Sequence, residues 1–133
     1  MTHSEIYETV VDSLVQALGV SRSEIKPETS LVRDLEAESI DFLDIMFRLE
    51  NDFGIEISRG ELFPQEMLRD PEFVVGGKLT PAGAIELRRK FAFTDLSDLH
   101  AGVDIQSQLG EMLTVNLITD YVASKLHTAA VAA

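Results

Sequence analysis

The chain has 133 residues, of which 45% are apolar, with no cysteine and a formal net charge of -12. This length and apolar content describe one globular domain with its own core, and the lack of cysteine excludes disulfides, thiolate metal sites and a thiol nucleophile. The negative charge argues against nucleic acid as a partner and favours basic protein surfaces.

The N-terminus and the distribution of charge indicate where the protein works and which half meets partners. The first ten residues, MTHSEIYETV, lack the basic start and apolar core of a secretory signal, and no apolar run is long enough to cross a bilayer. We therefore expect a cytoplasmic protein without a membrane span. Residues 1–57 hold thirteen acids against four bases, a net charge of -9, whereas the remainder carries only -3.

The first predicted helix has apolar residues at helical spacing between Ser4, its expected N-cap, and Gly19, its expected stop. After it, Ser21 and Glu24 have the spacing of a capping box and predict one short turn. The loop that follows is expected to be long and ordered, with Leu31 attaching it to the core.

The second predicted helix begins at Ser39 and stops at Gly54. Its apolar positions wrap more than one face of the helix: Ile40, Phe42, Leu43, Ile45, Met46, Phe47, Leu49 and Phe53. A stripe this wide predicts burial against several neighbours together with an exposed apolar edge for a partner.

The rest of the chain predicts shorter elements and one long final helix. Prolines and glycines interrupt residues 58–77, which favours short helical turns and loops. Thr80 and Pro81 have the order of an N-cap and a first helical residue, and that helix continues to Phe91. Residues 92–112 are mixed, and within them TDLSDLHAGVD, residues 94–104, is predicted as a loop with one short turn. Thr114 is predicted as the cap of the last helix. The whole pattern predicts an all-α fold, a small helical bundle.

Ser39 places a hydroxyl among acids at the start of the second helix, where it can be a helix cap, a nucleophile or an attachment point for another group. A nucleophile needs a positioned base, and the chain has only three histidines and no nucleophile-elbow motif. The flanking carboxylates also oppose an alkoxide, so a hydrolase is disfavoured. By local chemistry alone a cap is favoured, because serine is among the best residues for that position.

The segment LEAESIDFLDIMFRLENDFGIEI, residues 35–57, changes this balance because it resembles the second helix of the acyl carrier protein family. Members carry a phosphopantetheine arm on a serine at the start of that helix, within a four-helix bundle. Ser39 stands at the attachment position, Asp41 and Asp44 follow it, and the late TVNLITDYV resembles the family's last helix. The resemblance covers roughly residues 3–58 and 113–127.

The resemblance implies a carrier that is not an enzyme, has no catalytic residue and no metal site, and bears 4'-phosphopantetheine on Ser39. A separate magnesium-dependent phosphopantetheinyl transferase attaches the arm, whose thiol holds acyl chains as thioesters. This acidic phosphoprotein, expected to be a monomer, delivers the chains to acyl-processing enzymes or acyltransferases of fatty-acid or specialised lipid biosynthesis. The residues expected to meet the basic patches of these partners are Glu36, Glu38, Ile40, Asp41, Asp44 and Phe47.

The sequence departs from the family pattern in three residues and one long segment. Glu38 replaces the usual aspartate, Ile40 the usual leucine, and Glu36 a common glycine. The long segment is an insertion at about residues 59–112 of a single acyl-carrier-like domain, residues 1–133. The run SIDFLDIMF followed by such an insertion resembles the specialised carriers that handle very-long-chain or hydroxylated acyl groups for lipopolysaccharide lipid. The apolar residues of the insertion either widen a cavity for such a chain or merely cover core.

Two other functions stay open on the sequence. A carrier of aminoacyl or polyketide intermediates would share the fold, whereas an acidic helical adaptor would bind a basic partner without ever being modified, with Ser39 only a cap. Asp95, Asp98, His100 and Asp104 lie close together but lack the calcium-loop spacing and its closing glutamate, so they are interpreted as loop acids and a surface histidine.

Overall fold

The fold is that of a computed structural model, which describes residues 1–58, 60–63, 65–93, 96 and 99–132, without the side chains of residues 39, 65 and 127–132. In chain order its elements are α1 (His3–Leu18), a 3-10 turn (Arg22–Glu24), α2 (Ser39–Phe53), α3 (Gln65–Leu68), β1 (Val74–Val75), β2 (Lys78–Leu79), α4 (Pro81–Lys90), α5 (Ile105–Met112) and α6 (Val115–Ala132). The prediction of a mostly helical fold is confirmed. The prediction that it is all-α is corrected by the hairpin of β1 and β2.

The start of α1 differs from the predicted one, while its end agrees. The Thr2 hydroxyl accepts from the backbone N–H of Glu5 at 3.1 Å, and the Glu5 carboxylate accepts from the backbone N–H of Thr2 at 2.8 Å. Thr2 is therefore the N-cap, and the prediction of Ser4 was wrong because Thr2 and Glu5 can satisfy each other. Gly19, with a φ of 66°, ends the helix as predicted and donates to the carbonyl of Val15.

The core joins the main helices to the segment between α2 and α5. Helix α1 packs against both α2 and α6. Among the described residues, the largest fully buried side chains are Tyr121, Phe91, Leu14, Leu31, Ile45, Leu49, Leu62, Leu87, Leu99, Ile118, Val10 and Val115. These residues belong to one apolar cluster. Burial of apolar surface is the main favourable term in folding, so the residues between α2 and α5 and the helices α1, α2 and α6 stabilise one another.

The hairpin was missed because each of its strands has only two residues. Val74 pairs with Leu79 and Val75 with Lys78, around a turn at residues 76–77. Both turn glycines have positive φ angles, 59° and 77°, as two-residue hairpin turns of the favoured type require. Periodicity cannot indicate a strand of two residues.

The second strand of the hairpin is bonded on its other side to the residues that lead into α5. The N–H of Leu79 donates to the carbonyl of Val103 at 3.0 Å, and the N–H of Gly102 donates to the carbonyl of Leu79 at 2.7 Å. The N–H of Ile105 donates to the carbonyl of Gly77 at 2.9 Å. The hairpin is therefore attached to the first residue of α5.

Helix α4 confirms its predicted start, and α5 lies after the predicted loop, in residues for which no helix was predicted. The Thr80 hydroxyl accepts from the N–H of Gly83 at 3.0 Å, and Pro81 is the first helical residue. The Asp104 carboxylate caps α5 by accepting from the N–H of Ser107 at 3.1 Å. The start of α6 is as predicted, since the Thr114 hydroxyl accepts from the N–H of Leu117. No helix in the described part of the chain has the length and apolarity that crossing a bilayer demands.

An ion pair between Glu61 and Lys125 connects the segment after α2 to α6 and makes stability depend on pH. The Lys125 ammonium lies 2.8 Å from the Glu61 carboxylate, which also accepts from the backbone N–H of Ser58 at 2.9 Å. Burial acts to raise the pKa of Glu61, but its hydrogen bonds and the Lys125 charge outweigh burial and hold the pKa below the usual value of a glutamate side chain. A lowered pKa stabilises the fold above the unfolded-state pKa and loses that contribution as the pH falls through the folded-state pKa.

We expect Glu61→Gln to lower the free energy of unfolding at pH 7, with a smaller difference from the wild type at pH 3. Urea unfolding of both proteins at the two pH values measures the difference. Glu56→Gln is the matched control, because the Glu56 side chain is exposed. An equal loss at pH 7 and pH 3 would contradict the role of the Glu61 charge.

Candidate functional site

Helix α2 begins at Ser39, as predicted, and the backbone before it shows which residue is the cap. Glu38 has an extended conformation, with φ -105° and ψ 173°, and is the N-cap. Its N–H donates to the Asp41 carboxylate at 2.8 Å. Ser39 is therefore the first helical residue and not the cap. The interpretation of Ser39 as a simple capping serine would require it to occupy the cap position. The Ser39 side chain lies outside the described part of the structure.

The position of Ser39 suits a group that carries negative charge. The first residues of a helix present backbone N–H groups without intrahelical partners, and the helix dipole adds partial positive charge there. Phosphate groups bind at such helix starts for this reason. The 15-residue length of α2 provides the dipole in full at Ser39. A phosphodiester on Ser39 would therefore meet favourable backbone electrostatics despite the neighbouring acids.

Glu36 lies in the loop before Ser39 and has a backbone conformation that favours glycine. Its φ is 54°, and it is the non-glycine residue with a positive φ among those described. A side chain in this left-handed region costs about 1–2 kcal/mol through contact between the β-carbon and the backbone. The structure thus gives a physical reason for the common glycine of the family at this position, and Glu36 keeps the required conformation at a cost.

We expect Glu36→Gly to be more stable than Glu36→Ala by about 1 kcal/mol, because only glycine adopts this φ without strain. Both variants remove the same charge, so their comparison isolates the backbone effect. Chemical denaturation followed by circular dichroism measures the two free energies of unfolding. Equal stabilities would show that the left-handed conformation of Glu36 carries no cost.

The loop before α2 is held by α5 and by the residue that follows it. The N–H of Leu31 donates to the carbonyl of Leu113 at 2.9 Å, and Leu31 is fully buried, as predicted. The guanidinium of Arg33 donates to the carbonyl of Ser107 at 3.3 Å. It also lies over Gly110, where a β-carbon would stand 3.0 Å from Arg33 Nε. The start of α2 is therefore positioned by residues near the end of the predicted insertion.

An exposed apolar stripe runs along α2 from Ser39. Ile40 is 71% exposed and Phe47 64% exposed, as expected for residues that meet a partner. Leu43 is also 64% exposed, and the sequence prediction of partner-facing residues missed it. The three residues are three and four positions apart and so share one helix face. The breadth of the apolar pattern gave no means of telling Leu43 from the buried Ile45.

The acids predicted to meet partners surround this stripe. Glu36 and Glu38 are exposed, whereas Asp41 and Asp44 are half-buried. The Asp44 carboxylate lies 3.2 Å from Arg48 Nε. The positive charge of Arg48 therefore partly neutralises Asp44, which attracts a basic partner less strongly than the other three acids do. The structure brings the predicted residues together at the first half of α2 and the loop before it.

A cleft of about 510 Å³ opens beside Glu38, next to Ser39 in the chain. One wall comes from α2 and the loop before it: Val32, Ala37, Glu38 and Phe42. The opposite wall comes from later residues: Phe63, Leu68, Arg69, Ile105, Gln106 and Leu109, with Leu113 completing the lining. The cleft is mostly apolar with three polar side chains and has the volume typical of small-molecule sites.

Two aromatic rings of the cleft lining are in direct contact. Phe42 of α2 stacks on Phe63 with a centroid distance of 4.3 Å and an angle of 29° between the ring planes. Phe63 is buried, whereas Phe42 is half-buried. Stacked rings stabilise a contact by about 0.5–1.5 kcal/mol beyond area burial. This pair holds the segment around Phe63 against the helix that starts at Ser39.

The four residues interpreted as loop acids and a surface histidine have separate outcomes. Asp95 and Asp98 lie outside the described residues. His100 is exposed, with Nδ1 2.9 Å from the carbonyl of Ala101, and Asp104 caps α5. Within the described ranges, no group of three or more histidine, aspartate or glutamate side chains is placed to hold a metal ion.

Part of the chain is similar to known proteins. Residues 8–69 match the family described as the phosphopantetheine attachment site. Acyl carrier proteins of Chlorobium phaeobacteroides and Chlorobium phaeovibrioides are each 40% identical to the chain over 57 residues, which is 43% of this chain and 73% of the relative. An acyl carrier protein of Chlorobium luteolum has the same identity and coverage.

Proposed function

The chain belongs to the acyl carrier protein family, and from that premise we propose that it carries acyl chains as thioesters on a 4'-phosphopantetheine arm attached to Ser39. The family's proteins are carriers and not enzymes, and phosphopantetheine is their prosthetic group. The observation that carries the proposal is the position of Ser39 as the first residue of α2, beside a largely apolar cleft. When bound, the arm supplies the thiol that this cysteine-free chain lacks.

In this proposal Ser39 is the acceptor in one covalent step performed by a separate magnesium-dependent phosphopantetheinyl transferase. The Ser39 oxygen forms a bond to the phosphorus of coenzyme A that carries the pantetheine group. The phosphoanhydride bond to this phosphorus breaks, and adenosine 3',5'-bisphosphate leaves. The hydroxyl proton of Ser39 passes to a base of the transferase. The backbone N–H groups at the start of α2 stabilise the resulting phosphodiester.

We also propose the arrangement of the domain and the class of its pathway. The acyl-carrier-like four-helix bundle has an inserted helical segment at about residues 59–112, between α2 and α6, within a single domain. One apolar cluster that contains residues of these helices and of this segment supports a single domain. The protein acts as a cytoplasmic monomer in fatty-acid or specialised lipid biosynthesis. The cargo is a long or substituted acyl chain, such as the acyl chains of lipopolysaccharide lipid. The apolar cleft residues that belong to the proposed insertion are the evidence for this cargo.

The test of the proposed function is the intact mass of the purified protein after incubation with coenzyme A, magnesium and a broad-specificity phosphopantetheinyl transferase. We expect the wild type to gain the mass of one arm. A wild type that stays unmodified would contradict the proposal and favour the acidic adaptor. The mass of the acyl groups on the protein from its own cell then separates fatty acyl cargo from aminoacyl or polyketide cargo.

The exposed acids beside Ser39 are proposed to steer the carrier towards basic enzymes. We expect the double variant Glu36→Lys and Glu38→Lys to be modified about tenfold more slowly by the transferase at low salt, because charge complementarity raises association rates. The double variant Glu28→Lys and Glu56→Lys is the control, since it has the same net charge and both side chains are exposed away from Ser39.

Initial rates at low and high salt measure this effect. The difference between the two double variants is expected to shrink at high salt, because salt screens exposed charges. Equal rates for the two variants at low salt would remove the steering role from Glu36 and Glu38.

A further inference from the structure

The cleft beside Ser39 contains one arginine whose charge is not used by the fold. Arg69 follows α3 and lines the same cleft as Glu38. Within the part of the chain that the structure describes, no carboxylate pairs with it. The guanidinium groups of the other described arginines each have a carboxylate or a backbone carbonyl as partner: Arg22, Arg33, Arg48, Arg88 and Arg89. Arg69 is exposed and is the one cation among the cleft residues.

The charge around the cleft is unfavourable for an anion except at Arg69 and at the start of α2. Glu38 lines the cleft, and Glu36 lies two residues before it in the same loop. A phosphodiester attached to Ser39 would be repelled by both carboxylates. An arginine offers five N–H donors in a planar arrangement that matches phosphate oxygens. The helix start and Arg69 can therefore offset the repulsion from two directions.

The remaining lining of the cleft suits the rest of the arm. Leu68, Ile105 and Leu109 supply apolar surface for its methyl groups and methylenes, while Gln106 supplies an amide for its two amide groups. The cleft's volume of about 510 Å³ is within the range of small-molecule sites. The donor set of the cleft thus fits a flexible chain that has an anion at one end and amides along its length.

We propose, on the basis of the proposed function, that this cleft is a docking site for the phosphopantetheine arm itself, in which Arg69 pairs with the arm's phosphodiester. The pairing holds the arm along the inserted wall when no partner enzyme is bound. The thiol end is then less accessible from solvent, and a partner releases it by competing for Arg69 or for the wall. Arg69 acts as a positioning residue for the arm.

The experiment compares the arm-bearing forms of the wild type, Arg69→Gln and Arg89→Gln. Arg89 lies on α4 and pairs with Glu86, so its replacement changes the net charge equally but leaves the cleft intact. Two quantities are measured at low and high salt: the rate at which iodoacetamide alkylates the arm's thiol, and the ³¹P chemical shift of the phosphodiester. Circular dichroism checks that all three proteins are folded.

We expect Arg69→Gln to be alkylated about fivefold faster than the wild type at low salt, as the loss of a partly exposed charged hydrogen bond predicts. Its ³¹P resonance is expected to shift towards that of a free phosphodiester, while Arg89→Gln behaves as the wild type. High salt should bring the wild type towards Arg69→Gln. A faster rate with an unchanged ³¹P resonance would overturn the phosphodiester contact.

Intact masses are recorded before these measurements so that two kinds of failure are distinguishable. An arm on all three proteins, with equal alkylation rates and equal ³¹P shifts, would overturn the docking site and leave the carrier function standing. An arm missing from the wild type would overturn the carrier function and the docking site together.

Discussion

Ser39→Ala is expected to lose the mass gain from the phosphopantetheinyl transferase completely, because alanine has no oxygen to form the bond to phosphorus. The expected effect is all-or-none, since a single attachment point is proposed. Intact-mass spectrometry after prolonged incubation measures it. The fold should be retained, because Ser39 is the first residue of α2 and Glu38, not Ser39, occupies the cap position.

Ser21→Ala is the matched control for this prediction. Ser21 is the N-cap of the 3-10 turn, and its N–H donates to the Glu24 carboxylate. It is therefore a second serine at the start of a helical segment that has an acid in its first turn. We expect this variant to gain one arm like the wild type. An arm on Ser39→Ala, or its loss from Ser21→Ala, would place the attachment elsewhere.

Gly83→Ala is expected to lower the free energy of unfolding by about 2 kcal/mol, although alanine is the better helix former by about 1 kcal/mol. A β-carbon at Gly83 would stand 2.2 Å from the backbone carbonyl oxygen of Phe73 and 2.7 Å from the Leu79 side chain. The Phe73 carbonyl is held in place, since it accepts from the N–H of Thr80 at 2.9 Å. The residues around the hairpin must therefore shift to admit one methyl group.

Gly110→Ala is the control, because its β-carbon would meet only the guanidinium end of Arg33. A flexible side chain can move away, so we expect this variant to differ from the wild type by less than about 1 kcal/mol. Urea unfolding at one pH measures both variants. If Gly83→Ala were as stable as Gly110→Ala, the residues around the hairpin would be shown to move away from the new methyl group at little cost in free energy.

The long amphipathic helices could be predicted from the sequence, and the short elements could not. Gly19, Gly54 and the Thr80–Pro81 pair fixed the helix ends correctly, because each has a conformational preference that acts locally. The hairpin and α5 depend on contacts between distant residues, such as the bond from Ile105 to Gly77. For α5, the aspartate cap at Asp104 and the apolar spacing that follows it were a local signal, although no helix was predicted there.

The candidate site was predictable where it lies on one helix and hidden where it is built from separate segments. The exposure of Ile40 and Phe47 followed from an apolar pattern too wide for one buried face. Arg69 and Gln106 are 37 positions apart in the chain and carry no shared motif, so only the fold shows that they line the same cleft. For the left-handed conformation of Glu36, the residue itself gives no sign, and the glycine that the resemblance implies at this position was the one signal.

The bonding of the hairpin to Ile105 has a consequence for how the cleft wall moves. The amides of Leu79, Gly102 and Ile105 all take part in the same set of backbone hydrogen bonds, so they should exchange with deuterium as one cooperative unit. Ile105 lines the cleft. A cargo too large for this cleft would have to break these backbone hydrogen bonds. The amides of Leu79, Gly102 and Ile105 would then lose their protection from exchange together.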